Sequence, residues 1–314
     1  MTRVRQHGVA LVTAVVLVAL ATIIAVAIGS RSAMSARRSA GSFGYEQAVQ
    51  FTAGAEALAA YALHEDKGTQ DTLNESWARP YGPVEVQSGV SLEAQLSDEQ
   101  GKFNLNTLVN ARGQVDPDAL AVFTRLLQLL QLEPRWASLL VDWIDSDVLP
   151  GSDGGEDSLY LSQQPPYRAA NLPITHVSEL LQLPGFGRER FLKLAPHVTA
   201  LPPDASTVNV CLASPFVLDA LSALGNGGSR NAVEYSVMDP RQLADARSKG
   251  CFPGLSVLRG MMRPDAVNRI GETSRYFRLQ SLISIGTARF ALYSLLQRDP
   301  DGQVRVVFRT LGTE

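Results

Sequence analysis

The sequence predicts an α+β fold: a long N-terminal helix, then β-rich segments that flank a central helical insertion. Three observations carry this prediction. An uncharged apolar run from Val9 to Ile28 continues into an alanine-rich stretch that has no proline as far as His64. Short alternating segments with turn residues occupy Val84 to Leu108 and Ser274 to Leu311. Between them, apolar residues recur at the three- and four-residue spacing of helices.

The apolar run is twenty residues long, which as a helix rises about 30 Å and matches the hydrocarbon core of a bilayer. Arg3 and Arg5 precede it, and the positive-inside tendency keeps that end in the cytoplasm and the body in the periplasm. Two readings fit such a run: a secretory signal cut after Ala25-Val26-Ala27, leaving Ile28 first, or a retained inner-membrane anchor. Gly8 bears on the choice, because it lies between the basic leader and the apolar helix. A short basic leader ending in Gly resembles that of type IV pilins and of the pseudopilins of type II secretion. The resemblance implies that a prepilin peptidase cuts between Gly8 and Val9 and leaves the helix on the mature chain, with its new N-terminus open to methylation. The fifth mature position is then Thr13, where the family usually carries a Glu that meets the amino terminus of a neighbouring subunit. A carboxylate at the bilayer centre costs about 2.5–3.5 kcal/mol without such a partner. Thr13 therefore implies a subunit with no neighbour above it, as in the K-type minor pseudopilin.

Beyond the anchor, Ala48, Phe51, Ala55, Leu58, Ala59 and Ala62 define one helical face. A helix from Val9 to about His64 would be roughly 80 Å long. Gly29, Gly41, Gly44 and Gly54 interrupt it at about 1 kcal/mol each relative to Ala, which predicts local bending or melting.

The remaining residues, about 250, suffice for one large or two modest domains. A net charge of −3 weighs against nucleic acid or an anionic membrane as partner. Cys211 and Cys251 are the two cysteines. In the periplasm they are open to one disulfide; the other reading is a pair of small buried hydrophobes.

The helical insertion begins near Asp116, where Pro117 starts one helix and Pro134 opens a second. THVSELLQLPGFGRERFLKLAPHV reads as a further helical pair about a tight turn. An internal echo follows: KFNLNTLVN with its downstream helix and STVNVCLASPFVLDALSAL each combine an Asn-containing strand, a loop and an apolar helix. Asp299-Pro300-Asp301-Gly302 reads as a turn between the last two strands.

The densest chemistry lies in DWIDSDVLPGSDGGEDSLY, where six carboxylates, from Asp142 to Asp157, fall within sixteen residues. Gly151, Gly154 and Gly155 let the loop fold back on itself. Carboxylate oxygens on such a loop suit Ca²⁺, which takes about six to eight oxygen ligands with loose geometry. The other reading is a solvated acidic loop. The spacing is not that of an EF-hand, since Leu149 and Pro150 stand where that loop needs polar ligands and Gly. A glycosidase-type carboxylate pair would require a cleft of which the sequence gives no sign.

The leader, the WIDSD…GGED…Y loop, PPYRAANLPITHVSELLQLPGF, the VNV segment and SRYFRLQSLISIG together resemble the K-type minor pseudopilin family of type II secretion across most of the chain. The resemblance implies a pilin-like long N-terminal helix packed on an antiparallel sheet, with a large inserted all-helical domain. On that plan 1–8 is the leader, 9–28 the transmembrane half of the helix, and 29–108 the rest of the helix with the first strands. Residues 109–205 form the insert with its acidic loop, and 206–314 a second strand–helix unit with the C-terminal strands. The family binds structural Ca²⁺ through positions that Asp145, Asp147, Asp153, Glu156 and Asp157 match here, with Asn171 as an outer ligand. Its partners are the I- and J-type minor pseudopilins, with other pseudopilins and the inner-membrane assembly platform as further ones, and its bulk places it at the tip of the pseudopilus. Cys211 replaces the Asn usual in the VNV segment.

A rival reading comes from LPGFGRERFLKL, which is similar to helix-hairpin-helix units that hold DNA phosphates, with Arg188, Arg190 and Lys193 following. It would make the chain a membrane-anchored periplasmic DNA-binding protein. The acidic balance and Glu189 in the same turn oppose it. No nucleophile elbow, H-E-x-x-H or CxxC pattern occurs, so the sequence points to an assembly subunit and not an enzyme.

Overall fold

The structure, a computed structural model, describes residues 7–225 and 234–312. Helix α1 runs unbroken from His7 to Glu65. The predicted melting at its glycines does not occur. Gly44 packs against the Phe290 ring, and Ala48, Ala55, Ala59 and Leu63 are buried on the sheet, so tertiary packing outweighs the low helix propensity of glycine in the upper half.

Strands β1 (Tyr81–Gln87) and β2 (Val90–Asp98) begin the sheet. After β2 the chain leaves it. Two-residue strand β3 (Phe103–Asn104) leads into helices α2 (Pro117–Leu129), α3 (Arg135–Ile144), α4 (Asp157–Leu161) and α5 (Gly187–Leu194), and then β4 (Val198–Thr199). Strand β5 (Val208–Asn209) leads into α6 (Pro215–Ala220), α7 (Pro240–Ser248) and α8 (Leu255–Met261), and then β6 (Ile270–Gly271). The chain returns to the sheet with β7 (Tyr276–Ile285), β8 (Ala288–Arg298) and β9 (Val304–Leu311). The sheet order is β1-β2-β7-β8-β9 and every pair is antiparallel.

Alternation along the strands explains which face is covered. Leu92 and Leu96 on β2, Phe277, Leu279 and Ile283 on β7, and Leu292 and Leu296 on β8 share a core with the α1 stripe. One charge is buried among them. Glu56 on α1 accepts from Ser294 Oγ at 2.6 Å and from Arg309 Nε and a terminal nitrogen at 2.7 and 2.8 Å, which fixes the helix in register on the sheet.

The echo in the sequence corresponds to two helical modules. Parallel pairing of β3 with β4 closes the first, and parallel pairing of β5 with β6 closes the second. Each opens on a buried asparagine that ties its closing loop. Asn104 Oδ1 accepts from the amides of Asn106 and Leu201, and its Nδ2 donates to the carbonyls of Pro202 and Ala205. Asn209 Oδ1 accepts from Cys211 N, and its Nδ2 donates to the Asp71 carbonyl and Ser274 Oγ.

The expected boundaries of the insert, 109–205, require correction. Residues from Phe103 to Ile270 share one hydrophobic core that is separate from the core beneath the sheet. Val208, Val217, Leu221 and Leu258 belong to the same core as Phe123 and Leu126, so the strand–helix unit assigned to the sheet domain belongs to the insert. Among the described residues, everything between β2 and β7 therefore belongs to the insertion.

That insertion leaves the sheet at one end only. Gly286 N donates to Gly89 O, and the same end of the sheet carries Phe290 against Gly44 of α1. The opposite end carries His64 Nδ1 at 2.8 Å from Gly302 O, and Arg298 paired with Asp66 and Asp71 at 2.9 and 2.6 Å. Asp98 and Tyr276, where the insert departs and returns, lie at this second end, away from the apolar half of α1.

Candidate metal centre

Helix α3 positions one side of the acidic loop. Its buried face carries Trp136, Leu139, Leu140, Trp143 and Ile144, and Asp142 is buried with them. Asp142 is compensated locally: it accepts from the amide of Gly151 at 2.9 Å and from that of Gly155. A Cβ on Gly154 would overlap the Asp142 carboxyl, so the glycines are what allow the backbone to wrap a carboxylate.

The wrap brings the two ends of the loop together. Asp145 sits at the C-cap of α3 and Glu156 at the N-cap of α4, where its side chain caps nothing. Carboxylate oxygens of Asp145, Asp147 and Glu156 all lie within 4.8 Å of one another. Asp145 and Glu156 are only 6% and 5% exposed, while Asp147 is open to solvent. Asn171, in the left-handed region at φ 48°, donates from Nδ2 to the Asp147 carbonyl at 3.0 Å. Asp145 Oδ1, Glu156 Oε1 and Asn171 Oδ1 are buried without a hydrogen-bond partner.

Such an arrangement opposes ionisation. Burial, then the charges of Asp147 and Asp142, push the Asp145 carboxyl up to about 6. Burial and the surrounding Asp142, Asp145, Asp147 and Asp157 push Glu156 up to about 7. A cation among these oxygens would reverse both effects. The donor set is oxygen only, with neither His nor Cys in the group, which suits a hard divalent ion with flexible coordination and not zinc.

The structure does not bring together every expected ligand. Asp153 is exposed and lies outside the three-carboxylate group. Asp157 begins α4, accepts from Ala169 N at 3.2 Å and pairs with Arg168 at 3.5 Å, which draws it to the rim of the loop. The anchoring role of Asp142 was not foreseen, although its spacing from three glycines is a readable signal.

A second acidic group, Asp66, Asp71 and Glu75, differs in kind. Arg298 lies among its members with an N···O distance of 2.6 Å to Asp71, so the chain supplies its own cation there. Cys211 and Cys251 are joined by a disulfide. In the hairpin that suggested DNA, Arg190 is held by Glu133 through bonds of 2.9 and 3.0 Å and lies over the Trp136 ring. Lys193 pairs with Glu189 at 3.4 Å. The hairpin thus spends these two cations on its own packing and carboxylates.

The first module, which contains this loop, is where the comparison with known families falls: residues 101–203 match the family model of type II secretion system (T2SS), protein K. Nearly the whole chain is similar to type II secretion system protein K of Pseudomonas aeruginosa, at 36% identity over 98% of this chain and 93% of that one. The chain belongs to the type II secretion system protein K family. Protein K of Klebsiella pneumoniae is 32% identical over 94% of this chain and 93% of its own length. The fold is also that of a chain in the crystal structure of the GspK-GspI-GspJ complex from enterotoxigenic Escherichia coli. That match has a TM-score of 0.66 and 24% identity, and covers 88% of this chain and 100% of that one.

For a protein K, the N-terminal half of α1 is the other functional element. It is long and apolar enough to cross a membrane, and the spanning window is wholly exposed, which fits a single-pass anchor. Thr13 Oγ1 donates to the carbonyls of Ala10 and Val9 at 3.0 and 3.1 Å, so the hydroxyl is satisfied within its own helix. Gly8 lies in the first turn of α1, and leader residues 1–6 fall outside the described residues.

Proposed function

We propose that this protein K is a non-catalytic minor pseudopilin that starts or caps the periplasmic pseudopilus, with Ca²⁺ as a structural ion in its acidic loop. Support comes from the insert, which leaves the sheet at the end opposite the apolar half of α1. A subunit stacked above would have to lie where two helical modules already project. The internally satisfied Thr13 supports the same position, because nothing in the first helical turns asks for a neighbour's amino terminus.

The I- and J-type minor pseudopilins are the proposed immediate partners, by analogy with the complex whose fold the chain shares. The other pseudopilins, the inner-membrane assembly platform and prepilin peptidase would follow from the same pathway. In the membrane, lipid surrounds the apolar half of α1; on assembly, neighbouring helices replace that lipid through small and apolar contacts. Asp145, Asp147, Glu156 and Asn171 would hold the calcium, which neutralises a loop whose charges otherwise repel.

Immunogold labelling of pseudopili assembled in cells tests the tip position. Antibody to the insert should mark fibre ends alone; label spaced along the shaft overturns the reading.

A further inference from the structure

The net charge of −3 conceals an uneven distribution. The first 45 residues contain five arginines and no carboxylate, and Glu46 is the first acid in the chain. Arg31, Arg37 and Arg38 follow directly on the apolar run. They stand on a stretch of α1 that is exposed throughout, below the point where Gly44 meets the sheet. None of the three forms an ion pair among the described residues.

Their heights are set by the helix. If Ile28 marks the edge of the hydrocarbon, Arg31 lies about 4.5 Å beyond it and Arg37 and Arg38 about 14–15 Å beyond. The headgroup layer is about 5–7 Å deep, so Arg31 sits within it. The other two can bend long side chains back toward it, and they stand within roughly one Debye length, about 8 Å, of its outer surface.

Their directions matter as much. Arg31 and Arg38, seven residues apart, share a face to within about 20°, while Arg37 points about 100° away from Arg38. A neighbouring helix reads one face; a lipid surface encircles the helix and meets all of them. The guanidinium group also matches phosphate oxygens in a bidentate manner.

Resting on the reading of Val9–Ile28 as a membrane anchor, we propose that Arg31, Arg37 and Arg38 form a basic collar that binds the phosphate headgroups of anionic phospholipid in the leaflet where α1 emerges. The acidic balance that disfavours an anionic surface holds for the body and not for the stalk. The collar would hold the unassembled subunit at a fixed depth, and would have to release lipid when the helix leaves the bilayer.

The test uses the full chain in nanodiscs of phosphatidylcholine with a minor fraction of phosphatidylglycerol. Spin-labelled versions of each lipid report which one is motionally restricted at the protein. Selectivity for phosphatidylglycerol of about fivefold or more is expected at low salt, falling toward unity at high salt. It should be largely lost in the triple variant Arg31→Gln, Arg37→Gln, Arg38→Gln; Arg3 and Arg5 are present in both proteins, so the difference reports the collar. Arg289→Gln, in the membrane-facing hairpin well above the bilayer, should leave selectivity unchanged.

A chain that stays embedded without selectivity, or a triple variant that keeps it, overturns the proposal alone. So does a triple variant with unchanged lipid preference that no longer binds partner subunits, because the arginines would then serve a protein neighbour. A chain stripped from vesicles by alkaline carbonate overturns the anchor, and the collar with it.

Discussion

Asn171 Nδ2 donates to the main-chain oxygen of Asp147 at 3.0 Å, and this bond ties a residue 24 positions downstream to the acidic loop. It leaves Asn171 Oδ1 buried without a partner, as Asp145 Oδ1 and Glu156 Oε1 are. Three such oxygens from three separate segments are costly in the apo chain, by about 1–3 kcal/mol for each unsatisfied group. A bound cation would turn that cost into affinity.

Calcium should therefore stabilise the protein. At a concentration about 100-fold above Kd the gain is about 2.7 kcal/mol, read as a rise in Tm on adding calcium to chelated protein. Replacing Asp145 and Asp147 by Ala should abolish that rise while leaving the chelated protein at least as stable. An equal loss in chelator and in calcium would argue against the site.

The pH dependence follows from the raised carboxyls. Asp145 near 6 and Glu156 near 7 hold protons more tightly folded than unfolded. The folded chain binds the extra protons, so stability of the chelated protein falls as pH rises from the ordinary carboxylate range through about 7. Asp98, which burial pushes up to about 6, contributes with the same sign but lies outside the loop. Thermal melts at pH 5 and pH 8 should accordingly differ most in chelator, and calcium should remove the part due to the loop. Glu156→Gln should flatten the chelator curve; an unchanged slope contradicts the assignment.

Gly154→Ala tests how the loop is built. The added methyl overlaps the Asp142 carboxyl, so either Asp142 loses its amide partners or the turn opens. Calcium affinity by titration calorimetry should fall by tenfold or more, a shift of about 1.4 kcal/mol. Gly29→Ala, whose Cβ meets nothing within 4 Å, should leave affinity unchanged.

The Cys211–Cys251 bridge closes a separation of 40 residues. It should contribute about 3–4 kcal/mol by restricting the unfolded chain. Urea unfolding of the double Cys→Ser variant measures this, and a midpoint equal to that of the wild type would show that the second module does not need its clasp.

Much of this was legible in the sequence because periodicity is a strong signal over long segments. The apolar run, the Asp299–Gly302 turn between β8 and β9, and the clustering of carboxylates around three glycines all stood out. The insert boundary was not legible, for a physical reason. The strands that close the modules are two residues long, too short to alternate, and α7 is mostly polar with Leu243 as its buried residue. Only the shared core shows that Val208 to Ile270 belongs with the helices. The glycines of α1 misled in the other direction, since propensity says nothing of the sheet against which the upper half packs. Asn171 could be matched by resemblance, but its left-handed backbone and its bond to Asp147 exist only in three dimensions.

Maturation as a pseudopilin would leave α1 on the chain as its assembly helix. Mass spectrometry of the N-terminal peptide, from protein made in cells with the native prepilin peptidase, tests it most directly. The expected product is a chain that begins at Val9, with or without a methyl group on its amino terminus. A chain that begins at Ile28 would be an ordinary secreted protein without its membrane helix, and would rule out maturation as a pseudopilin.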